Sequence, residues 1–217
     1  MKRNPFNTNH HLHNEATYQG YAVQTSCGPL IEEHLETTLD CFQRALDQYP
    51  RVSMMRFDLH IPENCLANTF NDNGLINRFF SSLRSQIQHS QNRSRKQGNR
   101  VHDTEVRYTW GRELSCTGRI HYHVTLLLNH DAYAHIGEFN LERSNMYSRI
   151  HKAWESALGV FRDDLVGLIH IPDNPTYMVK RDDMQSREDA FYRASYLCKM
   201  DTKEYGRGFH SFGSSRI

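Results

Sequence analysis

Apolar residues along this chain switch several times between a helical spacing and a strand spacing. Four stretches carry apolar side chains at every third or fourth position, which is typical of amphipathic helices: 29–50, 75–91, 141–158 and 187–200. Strand-like runs lie between them, at 52–61, at 101–114 and 119–129 joined by a turn, and at 166–171. This order predicts an α+β fold, with helices packed on a central, mostly antiparallel sheet.

The length of 217 residues suits one compact domain with appendages. Residues 1–28 are rich in Asn, His, Thr and Gly without a sustained period, so we predict a flexible or loosely docked N-terminal arm. Residues 29–50 are predicted to form an extra N-terminal helix that Pro50 ends. The main domain is then expected to span residues 51–217.

The charges of the chain nearly cancel, with 26 basic and 25 acidic residues and a net charge of +1. A chain-wide attraction to polyanions is therefore excluded, and any nucleic-acid surface must be local. Apolar runs such as 124–128 are too short to cross a bilayer, and the first residues lack the apolar core of a signal peptide. We expect a soluble, cytoplasmic protein. The cysteines are scattered without a CxxC pair, which predicts reduced thiols: Cys27, Cys41, Cys65, Cys116 and Cys198.

Two histidines, His121 and His123, lie two residues apart in a strand-like run, so both imidazoles should share one face of the sheet. If the hairpin turn centres on Thr117, Glu113 lies opposite His121 and adds a carboxylate to that face. Two imidazoles and one carboxylate leave positions open for water or phosphate oxygens, which suits Mg²⁺ or Mn²⁺. The alternative is that the histidines only decorate a solvent-facing sheet surface.

Tyr192 and Tyr196 lie four residues apart on the predicted last helix, with Lys199 three residues further on the same side. A phenol has an intrinsic pKa near 10, so it attacks at neutral pH only with help from a cation, a base or an activated phosphate. Lys199 is the local cation that could stabilise charge on the phosphate or the phenolate. Alternatively, tyrosines at this spacing simply pack a core.

From about Val52 to the C-terminus the chain resembles the YagK/YfjJ C-terminal domain family, which includes inovirus-type replication proteins of filamentous phages and related mobile elements. The stretches that carry the resemblance are RFDLHIP, HYHV followed by LLLN, AWESALG, GLIHIPDNPTY, FYRASYLCK and SFGSSR. More distantly, three of these stretches resemble the ordered motifs of HUH rolling-circle initiators, namely a strand that ends in proline, the paired histidines and YxxxYxxK.

The resemblance implies an HUH-like endonuclease domain over residues 51–217, built on an HUH/RRM-like palm. Such an enzyme nicks single-stranded or hairpin DNA at an origin through a 5′-phosphotyrosine and leaves a 3′-hydroxyl for the host polymerase. No GxxxxGK[ST] motif occurs, so unwinding would need a host helicase. Carried over, the roles are metal ligands for His121 and His123, nucleophiles for Tyr192 and Tyr196, and the motif lysine for Lys199.

The third metal ligand stays open between Glu113, Asp58 and His60. DNA contacts are expected from the basic run and from one residue beside the tyrosines: Arg93, Arg95, Lys96, Arg100 and Arg193. Tyr108 and Trp110 could stack on unpaired bases, although core packing is the commoner fate of such aromatics. Two other functions fit the same residues: a non-catalytic nucleic-acid-binding protein of a mobile element, and a metal-dependent nuclease that uses water as its nucleophile.

Overall fold

The structure is a computed structural model that describes residues 2–62, 73–115, 117–161 and 166–216. In chain order its elements are β1 (Lys2–Asn4), β2 (Asn7–His13), β3 (Thr17–Tyr18), β4 (Tyr21–Ala22), β5 (Leu30–Ile31), α1 (Glu32–Gln48), β6 (Arg51–His60), α2 (Gly74–Lys96), β7 (Arg107–Leu114), β8 (Ile120–Asn129), α3 (Met146–Leu158), β9 (Ile169–His170), β10 (Thr176–Lys180), α4 (Met184–Ser195) and β11 (Phe212–Ser214). A short 3-10 turn, Tyr196–Cys198, follows α4 directly.

Six strands form one antiparallel sheet in the order β10-β6-β8-β7-β11, with β9 also paired to β6. The four helices pack against this sheet, which confirms the predicted α+β class and its mostly antiparallel sheet. The predicted hairpin is also present, because β7 and β8 are neighbours joined by a short turn.

The sheet separates two hydrophobic cores, because successive side chains of a strand point to opposite faces. Tyr122, Val124 and Leu126 of β8 pack with α2 and α3 on one face. Leu127 lies on the other face, where it packs with α1 and α4. His121 and His123 share the parity of Leu127 and therefore lie on the α1/α4 face.

The predicted helices exist, with different ends. Helix α2 continues to Lys96, so Arg93 and Arg95 belong to its last turn, where positive charge interacts favourably with the helix dipole. Helix α3 begins later than predicted, at Met146, because the side chain of Asn145 accepts a hydrogen bond from the N–H of Ser148 and caps it there. Gly159 caps the C-terminus of this helix with a left-handed φ of 69°.

Residues 2–28, predicted to form a flexible or loosely docked arm, contribute strands to the fold. Strand β2 pairs with β1 and β5, and β3 pairs with β4. Tyr18, Tyr21 and Val23 are buried in the α1/α4 core, and the backbone N–H of Gln24 donates a 2.9 Å hydrogen bond to Ser195 Oγ. This segment is therefore part of the fold around α4.

In the described part of the chain, none of the helices combines the length and hydropathy that a bilayer span requires. Cys27, Cys41 and Cys198 carry free thiols, as predicted, while Cys65 and Cys116 lie outside the described residues.

Candidate metal centre and neighbouring tyrosine

Three donor side chains converge where β7 and β8 approach their connecting turn. Glu113 lies directly opposite His121, which confirms the predicted register centred on Thr117. The Nε2 atoms of His121 and His123 are 3.2 Å apart, and Glu113 Oε2 is 3.3 Å from His123 Nε2. One ligand atom from each residue lies within 4.8 Å of the others, so these three residues could hold a metal ion. Glu113, His121 and His123 are called the metal group below.

The spacing of these donors fits a single ion. Two ligand atoms bound at about 2.1 Å and separated by a right angle lie about 3.0 Å apart, and a tetrahedral arrangement separates them by about 3.4 Å. The observed separations of 3.2 and 3.3 Å fall between these values. Glu113 and His123 are also buried, so few waters compete for them.

Asp58 and His60, the alternatives for the third ligand, lie outside this donor group. Asp58 Oδ1 is 2.7 Å from Nδ1 of His123, the ring nitrogen that faces away from Glu113. Arg56 pairs with the same carboxylate and comes within 2.7 Å of that nitrogen. The anionic carboxylate is the stronger acceptor, so Nδ1 carries the proton and Nε2 keeps its lone pair for a metal. The ring of His60 stacks on that of His121 at 5.4 Å.

The pKa of Asp58 lies far below its usual range. Burial alone would raise this pKa, but the hydrogen bond from His123 and the charge of Arg56 outweigh that effect. The carboxylate also reaches His170, whose Nδ1 is 3.2 Å from Oδ2. Asp58 is therefore ionised and suited to orient His123.

Glu113 is surrounded by cationic and hydroxyl groups. Lys199 Nζ lies 2.9 Å from Oε2, Lys203 Nζ lies 3.6 Å from Oε1, and Thr202 Oγ1 donates a 2.7 Å hydrogen bond. Burial raises the pKa of Glu113, but the neighbouring His123 ring and the charges of Lys203 and Lys199 lower it by more, to well below the usual range. Sequence reasoning missed Thr202, because it follows the last predicted helix without any motif.

The pKa of His121 is lowered to about 4, first by burial and then by the charge of His123. The ring is therefore neutral at pH 7. A neutral imidazole is the form that binds a metal.

Tyr196 adjoins this donor group through Lys199. Helix α4 ends at Ser195 and continues as a 3-10 turn, in which side chains three residues apart eclipse each other. Lys199 Nζ consequently donates a 2.6 Å hydrogen bond to the Tyr196 hydroxyl, and the Tyr196 ring lies 5.2 Å from the His123 ring. Burial lowers the pKa of Lys199, but its bonds to Tyr196 and Glu113 raise it above the usual value.

A pocket of about 180 Å³ opens beside the Tyr196 ring and is lined by His123, Asp58, Arg56 and Arg193. Arg193, predicted to contact DNA, is thus brought to the site. Tyr192 does not line this pocket, and 44% of its surface is exposed. The predicted pair of tyrosines is therefore split between the pocket and the surface.

The basic run lies away from the metal group. Arg95 pairs with Asp103, whose carbonyl accepts a hydrogen bond from Asn129 at the end of β8. Asn129 is six residues beyond His123, or about 20 Å along the strand. Arg93, Lys96 and Arg100 belong to the same region, at the end of α2 and just after it.

Tyr108 and Trp110 are 7% and 5% exposed in the core beneath α2 and α3. The ring of Tyr108 stacks on Phe80. Core packing, the commoner fate of such aromatics, is therefore the one observed, and it leaves neither ring free to stack on a base.

Fold and site together define an α+β protein in which a His-His-Glu group that could hold a metal ion lies beside a tyrosine. The chain belongs to the YagK/YfjJ C-terminal domain family, whose model matches residues 13–215. It is similar to the uncharacterized protein YagK of Escherichia coli strain K12, with 34% identity over 182 residues, 79% of this chain and 86% of that protein. The uncharacterized protein YfjJ of the same strain is 34% identical over 183 residues, 79% of this chain and 88% of YfjJ. No solved structure matches the chain.

Proposed function

We propose that this protein is a metal-dependent endonuclease that nicks and rejoins single-stranded DNA through a phosphotyrosine intermediate. One observation carries the proposal: the Tyr196 hydroxyl is 2.6 Å from Lys199 Nζ, which is itself 2.9 Å from the metal-group carboxylate of Glu113. A buried core tyrosine needs no such link to a donor group. The resemblance to rolling-circle initiators supports the same reading.

His121, His123 and Glu113 would hold Mg²⁺ or Mn²⁺. Bound there, the ion supplies Lewis-acid polarisation of a non-bridging phosphate oxygen. Asp58 keeps His123 in the tautomer that offers Nε2. Lys199 would stabilise the negative charge that develops on the Tyr196 oxygen as its proton passes to water during the attack.

In the reaction that we propose, the Tyr196 oxygen forms a bond to the phosphorus and the bond from phosphorus to the 3′ oxygen breaks. The released 3′ oxygen takes a proton from water, and the 5′ phosphate remains on the tyrosine. A 3′-hydroxyl attacks this ester in the reverse step and frees Tyr196. Tyr192, one helical turn away and exposed, is then the second nucleophile for the displaced strand.

The biological setting we propose is rolling-circle replication of a phage or mobile element in the bacterial cytoplasm. The substrate would be single-stranded or hairpin DNA at an origin. Because the sequence has no nucleotide-binding loop, a host helicase would unwind the duplex and a host polymerase would extend the 3′-hydroxyl.

The test is incubation with Mn²⁺ and labelled single-stranded DNA from the origin of the element that encodes the protein, followed by a denaturing gel. We expect a covalent adduct that is lost in Tyr196→Phe and in His121→Ala. Tyr192→Phe is the matched control, which should retain the first adduct. An adduct that survives in the double tyrosine variant would refute the nucleophile assignment, and cleavage without any adduct would favour a nuclease that uses water.

A further inference from the structure

A second candidate site lies between α2 and α3, on the face of the sheet opposite to the metal group. The cleft has a volume of about 310 Å³. Three cations line it, Arg93, Arg149 and Lys152, together with hydroxyl and amide groups such as Ser90 and Gln86. No carboxylate lines it within the described residues. A cleft of this composition favours an anion.

Arg149 is the strongest evidence for an anionic ligand, because it is nine-tenths buried yet has only neutral partners. Its Nη2 lies 3.0 Å from Ser90 Oγ and 3.4 Å from Ser144 Oγ, and its guanidinium faces the Tyr133 ring at 5.6 Å. Across residues 2–62, 73–115, 117–161 and 166–216, no carboxylate oxygen comes within 4.0 Å of this group. Burial of a cation without a counter-ion is costly, and a bound anion removes that cost.

The cleft continues along the end of α2 into a neighbouring pocket of about 220 Å³ that shares Ser90 with it. This second pocket adds Arg100 and His102. Its carboxylate, Asp131, is already paired with Arg51 at 2.6 Å. The cations thus follow one another along a groove, which matches the row of phosphates in a nucleic-acid strand. A single small anion would pair with only one or two of these cations.

We propose that this α2/α3 groove binds the phosphate backbone of DNA at a distance from the bond that is cut. The choice of DNA rests on the proposed function, whereas the affinity for a polyanion rests on the groove alone. Because the groove and the metal group lie on opposite faces of the sheet, they hold different segments of the DNA. The groove also explains how a chain with a net charge of +1 binds DNA, since its cations are concentrated there.

The test measures binding without cleavage, in EDTA and in a Tyr196→Phe background, so it stays informative even if the proposed chemistry fails. The probe is a fluorescein-labelled single strand about 30 nucleotides long, and its anisotropy is followed over a range of salt concentrations. The test variant is Arg93→Gln with Lys152→Gln, both exposed residues whose replacement leaves the fold intact. The control is Arg44→Gln with Lys180→Gln, which removes the same charge from exposed positions on other elements.

We expect the test variant to bind about tenfold more weakly, with the slope of log K against log salt reduced by roughly 1.4 for the two lost contacts. The control variant should bind as the parent does. Equal losses in both variants would show a general charge effect and overturn the proposal, as would an unchanged slope in the test variant. Tight binding by the groove with no covalent adduct in the cleavage assay would refute only the proposed function.

Discussion

Replacing Asp58 with asparagine probes how His123 is prepared to bind a metal. The substitution preserves size but removes the charge that accepts the proton of His123 Nδ1 at 2.7 Å. An amide can turn its NH₂ toward Nδ1 and so favour the other tautomer, in which Nε2 carries the proton and cannot ligate an ion. The metal group itself keeps all of its donors.

Two magnitudes follow from the surroundings of Asp58. Loss of a partner that orients a metal-bound histidine typically weakens metal binding by about 10–100-fold. Arg56, with only 5% of its side chain exposed, also loses its anion. A buried charge left without its partner costs about 3–5 kcal/mol, and an amide that still accepts one hydrogen bond places the loss near the lower end. At roughly 2–4 °C per kcal/mol, the melting temperature should fall by about 6–12 °C.

The assay is calorimetric titration with Mn²⁺ at a temperature where the variant is folded, combined with thermal unfolding in EDTA. Asp182→Asn is the matched control, because Asp182 is exposed and precedes α4 without contact to the metal group. We expect the control to match the wild type in both measurements. Wild-type Mn²⁺ affinity in folded Asp58→Asn would refute the reasoning that Asp58 sets the tautomer of His123.

Three further predictions concern the metal group and the sheet edge. In EDTA, the free energy of unfolding should fall as the pH drops from 6.5 toward 4, because half-buried His121, with a pKa of about 4, takes up its proton only on unfolding; His121→Gln should flatten this dependence on pH, and an unchanged slope would contradict the prediction. Glu113→Gln removes a charged ligand and should weaken Mn²⁺ binding at least about tenfold. It should also destabilise the fold by about 3–5 kcal/mol, because Lys203 loses its anion. Adding Lys203→Met to this variant should restore stability in chemical denaturation but should not restore Mn²⁺ affinity in titration. Gly213→Ala should lower the free energy of unfolding by about 1–3 kcal/mol, because a Cβ there would lie 2.6 Å from the Trp110 ring. An unchanged melting curve would count against the described packing of β11.

The sheet part of the site could be predicted from sequence because strand parity is a local property. His121 and His123 share a face whatever their partner strand is, and a turn centred on Thr117 fixes Glu113 opposite His121. The same parity puts Asp58 and His60 on one side of β6. Which ring nitrogen each carboxylate meets depends on side-chain torsions, and these have no signature in the sequence.

The elements that were missed depend on partners far along the chain. Strand β10 pairs with β6, and β11 pairs with β7 although Gly213 gives it weak strand propensity. Strand β2, Asn7–His13, is mostly polar, so it lacks the apolar alternation that identifies a half-buried strand. In each case a neighbouring strand supplies the hydrogen-bond partners, and the segment alone does not predict them.

The segment that carries Tyr196 and Lys199 contacts N-terminal residues that lie within the family match, which begins at residue 13. Lys199 forms a bridge with Leu30, and the N–H of Met200 donates to the carbonyl of Pro29 at 2.9 Å. With the bond from Gln24 to the end of α4, these contacts hold both ends of the 3-10 turn. The metal donors come from the rigid sheet, whereas the tyrosine and its lysine depend on the N-terminal segment for their position. The N-terminal segment therefore helps to position Tyr196 and Lys199 beside the three donor residues.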